Sequence, residues 1–231
     1  MLCVPDIHGY KSQLTRVLAL ADAHFGPEAE IVFLGDLVDR GPDSFGVIQT
    51  LIEGIEAGRN WTVIRGNHDQ LFLDYIDGGD PATPGGLSWL HERMGGRETL
   101  ASYGIEQIEG RDRAEIVSHI PKSHVDFLLN TPLIRQVNDL LFVHAGIRPG
   151  ILLADQNPED LMWIRKEFHV DPRDHGPLII HGHTPVKTPQ HYGNRVNLDA
   201  GAGHGHDLVI AAIRGREVSL LAETGETPLT P

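Results

Sequence analysis

Carboxylate, imidazole and amide side chains recur at the ends of short apolar runs in this chain, and few chemistries need that combination. Leu2-Cys3-Val4 runs into Asp6 and His8, and Ile31–Leu34 runs into Asp36, Asp39 and Arg40. Trp61–Ile64 delivers Arg65, Asn67 and His68, Leu140–Val143 delivers His144, and Leu178–Ile180 delivers His181 and His183. Asp and Arg are buried only when paired or bound to metal, so these groups belong at the carboxyl ends of strands, where open α/β sheets hold their ligands. Each alone can also be read as a strand ending in a charged turn; together they form a constellation. Mixed carboxylate, imidazole and amide donors suit first-row divalent metals better than calcium or magnesium. The donors are too many for one ion and about enough for two, with Asp36 the natural bridge in a site about 3.5–4 Å across. Such a pair brings a bridging water towards neutral pKa and clamps two phosphate oxygens. Arg40 and Arg65 stand beside the ligands, where planar forks hold the remaining oxygens. His68 can protonate the leaving oxygen, and Asp39 can orient it. The chemistry implied is in-line hydrolysis of a phosphoester by a metal-activated water, without a covalent enzyme intermediate.

The elements needed to position these groups are legible. Tyr10–Phe25 carries Leu14, Val17, Leu18 and Ala21 on one helical face, and Gly41-Pro42-Asp43-Ser44 caps a second helix through about Ala57. Three strand–polar turn–helix units in succession predict a βαβαβ sheet of parallel strands with every polar turn on one edge. Residues 71–130 read as an irregular helical insertion, with Trp89, Met94, Leu100 and Tyr103 as its packing face. His91, His119 and His124 lie there without metal-ligand spacing and are expected to be surface or core residues. Leu133–Val137 and Leu140–Val143 flank an Asn138-Asp139 hairpin turn, Pro158–Phe168 reads as a helix, and Leu208–Ile213 and Val218–Leu221 read as strands. The expected organisation is one domain over 1–223, with 224–231 a disordered tail.

Composition narrows the class. The 231 residues are 40% hydrophobic and 22% charged, as in ordinary globular proteins, and 14 are histidines. A formal charge of −13 argues against a general nucleic-acid binder. The single cysteine, Cys3, excludes an internal disulfide and is expected to be a packed core thiol in a cytoplasmic protein. No apolar run approaches membrane-spanning length.

The segments Asp6-Ile7-His8-Gly9, Gly35–Gly41, Gly66-Asn67-His68-Asp69, His144-Ala145-Gly146 and Gly182-His183-Thr184 resemble the motif series of calcineurin-like metallophosphoesterases, most closely the bacterial phosphoprotein phosphatase branch. The resemblance implies an α/β fold, a mixed β-sandwich flanked by helices, around a dinuclear centre, often of manganese, with iron or zinc as alternatives. It implies Asp6, His8 and Asp36 as ligands of one ion and Asp36, Asn67, His144 and His183 as ligands of the other. Asp39–His68 would be the acid dyad, and Arg40, Arg65 and Arg165, with Asn67, would bind phosphate. Two departures stand out: Pro5 replaces the usual glycine before Asp6, and His181 sits where an apolar residue is more common. His181 is expected to pack or to hydrogen-bond beside a ligand rather than bind metal. Asp39 and Arg65 resemble the Ser/Thr protein phosphatases, whereas Asp69 resembles the diadenosine-tetraphosphate hydrolases. The expected function is therefore a Ser/Thr protein phosphatase acting on phosphoproteins or phosphopeptides, with dinucleoside polyphosphate hydrolysis as the alternative. A metal-stabilised binding module without catalysis is the remote third reading, since Asp39, His68 and the arginines are intact.

Overall fold

The computed structural model describes the whole chain, Met1–Pro231. Strands β1 (Leu2–Val4), β2 (Ile31–Phe33) and β3 (Trp61–Val63) are parallel neighbours joined through helices α1 (Lys11–Phe25) and α2 (Ser44–Glu56), and α3 (Asn67–Ile76) follows β3 directly. Asp43 caps α2, its carboxylate accepting from Gly46 N at 2.7 Å. Three-residue strands hold because they are sandwiched on both faces. Leu2, Val4, Ile31 and Phe33 pack among helical residues such as Leu14, Val17 and Leu51. The alternate residues Cys3 and Val32 face a second sheet, packing with Phe142, Ile180 and Val196.

After α3 come α4 (Gly96–Ser102), α5 (Arg113–Ser118) and α6 (Lys122–Leu129), then β4 (Ile134–Val137) and β5 (Leu140–Val143). Next are α7 (Pro158–Trp163), α8 (Lys166–His169), β6 (Leu178–His181), β7 (Gln190–His191) and β8 (Arg195–Asn197). The chain ends with β9 (Ala211–Arg214), β10 (Glu217–Ala222) and β11 (Gly225–Leu229). One sheet runs β11-β10-β9-β1-β2-β3 and the other β4-β5-β6-β8-β7, both mixed, so the fold is an α/β sandwich of two sheets flanked by helices. Trp89, Met94, Leu100, Tyr103 and Leu128 of the helical insertion pack into the same cluster as α1 and α2.

Three expectations are corrected. Residues 224–231 are not a disordered tail: β11 pairs antiparallel with β10 from Val218↔Leu229 to Ala222↔Gly225. Its mostly exposed, polar residues leave no alternating apolar pattern to read. The helix over 158–168 is broken, because Ile164 takes extended ψ 141° and Arg165 lies outside helical space, which separates α7 from α8. The strand expected to begin at Leu208 begins at Ala211. No helix is long and apolar enough to cross a membrane.

Candidate active site

The carboxyl ends of β1, β2 and β3 in one sheet and of β5, β6 and β8 in the other converge on a single cluster. Asp6, His8, Asp36, Asn67, His68, His144 and His183 are all buried there. The turns that deliver them are tied together: Ile7 and His8 N–H both donate to Asp36 O, at 3.0 and 2.8 Å. Pro5 therefore leaves the first turn intact, with Asp6 seated where both its oxygens accept from His183 N at 3.1 Å. Six non-glycine residues have positive φ, and five of them are His8 (51°), Asp36 (50°), Asp39 (75°), Arg40 (68°) and His183 (67°). Such left-handed conformations cost energy for residues with a Cβ and persist where surroundings enforce them, as at ligand sites.

Asp36 lies at the centre. Its Oδ2 is 3.6 Å from His8 Nε2 and its Oδ1 3.4 Å from His144 Nε2, so each oxygen faces a different imidazole. His8, Asp36 and His68 form one group of converging donor atoms, and Asp36, His144 and His183 form another, with Asp36 common to both. His68 lies in the first group as well, and Asp6, whose oxygens accept from His183 N, is not among its converging atoms.

Second bonds fix which ring atoms point inward. His8 Nδ1 donates to Val38 O (2.9 Å) and His144 Nδ1 to Leu34 O (2.8 Å), which leaves both Nε2 lone pairs directed at the centre. Burial pushes the pKa of His8, His144 and His183 down. Burial would raise Asp36, but the imidazoles of His144, His68, His8 and His183 outweigh it and keep Asp36 ionised. Asp6 is pushed up by burial and by the Asp199 and Asp36 charges, and burial lifts Asp199 to about 6. Three buried carboxylates and several lone pairs thus face one space, and without cations that burial is costly.

Asn67 makes the same point. One end of its amide lies 2.9 Å from His144 Nε2 and 2.8 Å from His183 Nδ1. Its NH₂ can donate to those rings, or its oxygen would serve as a donor to a cation. The donor set fits two divalent ions, which Asp6, His8 and Asp36 would hold on one side and Asp36, Asn67, His144 and His183 on the other.

A cavity of about 590 Å³ opens beside this cluster, lined among others by Arg40, Arg93, Glu98, Arg165, His183 and Gly203. Gly203 has to be glycine, because a Cβ there would collide with the His8 ring and Arg40 Nη1. A family model described as calcineurin-like phosphoesterase matches residues 1–212. The chain belongs to this family.

Among relatives of this calcineurin-like phosphoesterase, "Bis(5'-nucleosyl)-tetraphosphatase PrpE [asymmetrical]" of Anoxybacillus flavithermus is 27% identical, the match covering 97% of this chain and 94% of that one. "Serine/threonine-protein phosphatase 1" of Salmonella typhimurium is 30% identical over 91% of this chain and 90% of the relative. A crystal structure of a putative diadenosine tetraphosphatase superposes with TM-score 0.63 at 21% identity, covering 99% of this chain and 93% of that one. A cold-active protein-tyrosine phosphatase from a Shewanella species reaches TM-score 0.61 at 16% identity over 99% and 80%, a likeness of fold.

The Asp39–His68 pair is assembled in this phosphoesterase: His68 Nδ1 donates to Asp39 Oδ2 at 2.5 Å, leaving His68 Nε2 3.0 Å from Arg40 Nη2. Arg40 Nη1 donates to His8 Nε2 at 2.9 Å, and Arg165 Nε donates to His183 Nε2 at 3.1 Å, so both guanidiniums reach the site. Arg65 does not. Its guanidinium donates to Gln70 Oε1 (3.0 Å), Thr131 Oγ1 (3.2 Å), Leu129 O (2.7 Å) and Thr131 O (3.2 Å), tying the end of α6 to β3. Its place two residues before Asn67 suggested a phosphate clamp, but these bonds occupy its guanidinium. His181 Nδ1 donates to Gly182 O (3.1 Å) and its Nε2 accepts from Arg195 Nη1 (3.2 Å), so both ring nitrogens are engaged. His124 is buried and hydrogen-bonded, whereas His91 and His119 are exposed.

Sequence reasoning missed Asp199, Trp89 and Thr99. Asp199 sits in a glycine turn after β8, a strand too short to leave an apolar run. Trp89 and Thr99 lie in the insertion, where their apolar and small character reads as packing.

Proposed function

We propose that this phosphoesterase is a two-metal phosphomonoester hydrolase acting on phosphoserine or phosphothreonine in proteins. The observation that carries the reading is the buried Asp39–His68 pair, with His68 Nε2 turned to the Arg40 guanidinium at the cavity wall. Bound divalent ions, with manganese the first to try and iron or zinc next, would polarise the phosphate and activate the attacking water. Arg40 and Arg165 hold phosphate oxygens with planar forks. Asp39 keeps the His68 ring turned and stabilises its charged form, and His68 gives the leaving oxygen its proton. A serine alkoxide leaves poorly without that proton, whereas a nucleotide phosphate leaves readily. An intact acid pair therefore favours the alkyl ester.

Diadenosine tetraphosphate is the second reading, favoured by relatives bearing the tetraphosphatase name. The residue that supported it in the sequence speaks less for it in the fold. Asp69 is wholly buried, its oxygens accepting from Leu37 N (2.8 Å) and Gly66 N (2.9 Å), so it pins two turns together and reads no substrate. Arg65 is likewise withdrawn as a substrate clue, which leaves Asp39.

The test compares kcat/KM on a phosphoserine/phosphothreonine peptide and on diadenosine tetraphosphate with added manganese. Preference for the peptide is expected, and preference for the dinucleotide overturns the protein-phosphatase reading. His68→Asn is expected to lower kcat on the peptide by about a hundredfold or more while the metal content holds. Full activity in that variant rules out His68 as the acid.

A further inference from the structure

We propose that Trp89 and Thr99, both carried by the segment between α3 and α5, are positioning residues for the Asp39–His68 pair. The proposal rests on the reading of His68 as the general acid. Asp39 is fully buried and its carboxylate accepts three side-chain hydrogen bonds. Oδ2 takes His68 Nδ1 (2.5 Å) and Trp89 Nε1 (2.9 Å), and Oδ1 takes Thr99 Oγ1 (2.6 Å). Thr99 Oγ1 also accepts from Asp39 N at 2.8 Å, and Ser44 Oγ accepts from the same N–H at 3.1 Å. One hydroxyl therefore grips Asp39 by main chain and side chain together, at a residue whose φ of 75° needs outside support.

The geometry gives these contacts a specific consequence. A carboxylate bonded only to an imidazole can rotate about its Cβ–Cγ bond and let the ring swing. With Thr99 on one oxygen and Trp89 on the other, the plane of the Asp39 carboxylate is fixed, and His68 Nε2 is held towards the cavity. Neither Trp89 nor Thr99 is exposed, so neither can touch substrate; each acts through Asp39. The same segment reaches the next residue too, where Gly95 O accepts from Arg40 N at 3.4 Å. The insertion thus completes the acid and the first clamp arginine, in addition to walling the cavity.

Thr99→Val, close to isosteric, removes the hydroxyl; Thr99→Ser keeps it; Trp89→Phe removes the indole N–H and opens some space against Phe72 and Tyr75, which Trp89 contacts at ring-centroid distances of 5.7 and 4.9 Å. Each would be assayed with His68→Asn alongside, on phenyl phosphate and on 4-nitrophenyl phosphate, whose leaving group departs without a proton. Metal content and thermal unfolding would be measured for all four. For Thr99→Val we expect kcat on phenyl phosphate to fall about tenfold or more, with KM and the 4-nitrophenyl rate within about threefold of wild type. Thr99→Ser restores the phenyl phosphate rate, and Trp89→Phe repeats the selective loss. An equal fall on both esters, or no fall, in a folded, metal-loaded Thr99→Val overturns the proposal while His68→Asn remains selective. If Trp89→Phe fails to fold, the two Thr99 variants decide. If His68→Asn itself loses both rates equally, the acid reading fails, and this inference fails with it for a distinguishable reason.

Discussion

The Arg40 guanidinium lies between two imidazoles, 2.9 Å from His8 Nε2 and 3.0 Å from His68 Nε2, with its backbone at a left-handed φ. Its Nη groups rest on two imidazoles inside the site while its buried Nε has no protein partner, so an anion in the cavity has donors within reach. Arg65 has the opposite environment, bonded to a side-chain amide, a hydroxyl and two carbonyls. Arg40→Met is therefore expected to lower kcat/KM about a hundredfold, the scale of a lost charge-assisted phosphate contact at a reacting centre. Arg65→Met is expected to leave KM near wild type but destabilise the fold by about 0.5–1.5 kcal/mol, because the partly exposed hydrogen bonds to Leu129 O and Thr131 O are lost. Steady-state kinetics and denaturant unfolding on the two proteins check the pair of claims, and a raised KM in Arg65→Met reinstates it as a clamp. Asp36 makes a separate claim. Its two oxygens face different imidazoles, so Asp36→Asn should empty both ion positions in a metal analysis, and retention of one ion refutes the bridging role.

Among the elements, the seam between α2 and α6 carries a buried polar chain. Tyr103 Oη bonds His124 Nδ1 at 2.9 Å, and His124 Nε2 bonds Gln49 Oε1 at 2.9 Å. Burial pushes His124 down to about 4, so the folded protein holds it neutral while the unfolded chain takes a proton near the ordinary histidine value of about 6.5. The unfolded state thus binds more protons between those limits, and His124's contribution to stability is complete at neutral pH and lost as pH falls through that window. In urea unfolding at pH 7 and pH 5, wild type should lose more stability on acidification than His124→Gln. An equal loss in both places the pH dependence elsewhere. The elements differ in legibility for a physical reason. β1 and β2 are apolar on both faces, and all three of β1, β2 and β3 end in motif turns, so they read plainly even at three residues each. β7 and β11 lie at sheet edges and carry polar side chains such as Gln190, Glu226 and Thr227, which leave no pattern. The break at Ile164–Arg165 is set by what surrounds it: extended backbone there turns Arg165 to His183, a tertiary requirement that overrides a sequence good for helix.

At the scale of the whole molecule, the site is a seam between the two sheets. Asp6, His8, Asp36 and Asn67 come from the β1-β2-β3 side, and His144, His183 and Asp199 from the β5-β6-β8 side. Strand-end motifs revealed most of these residues because a polar group after a buried apolar run has few uses. Asp199 and the Trp89–Thr99 support stayed hidden because their meaning depends on which distant turn they meet. Ions held at the seam would bind both sheets at once and offset the buried charges of Asp6, Asp36 and Asp199. Chelation should therefore act on folding as well as on turnover, since a ligand that binds only the folded state stabilises it by mass action. At about a thousandfold saturation that term is about 4 kcal/mol per site, which for a chain of this size lowers the melting temperature by about 10 °C when it is removed. Hydrogen exchange after chelation should quicken first in the turns at His144 and His183, whose ties to the other sheet run through this cluster, as in the Asp6–His183 bond. An unchanged melting temperature with activity abolished would mean that the empty cluster is held together by its own hydrogen bonds, with Arg40 and Asn67 already supplying the donors that its lone pairs need.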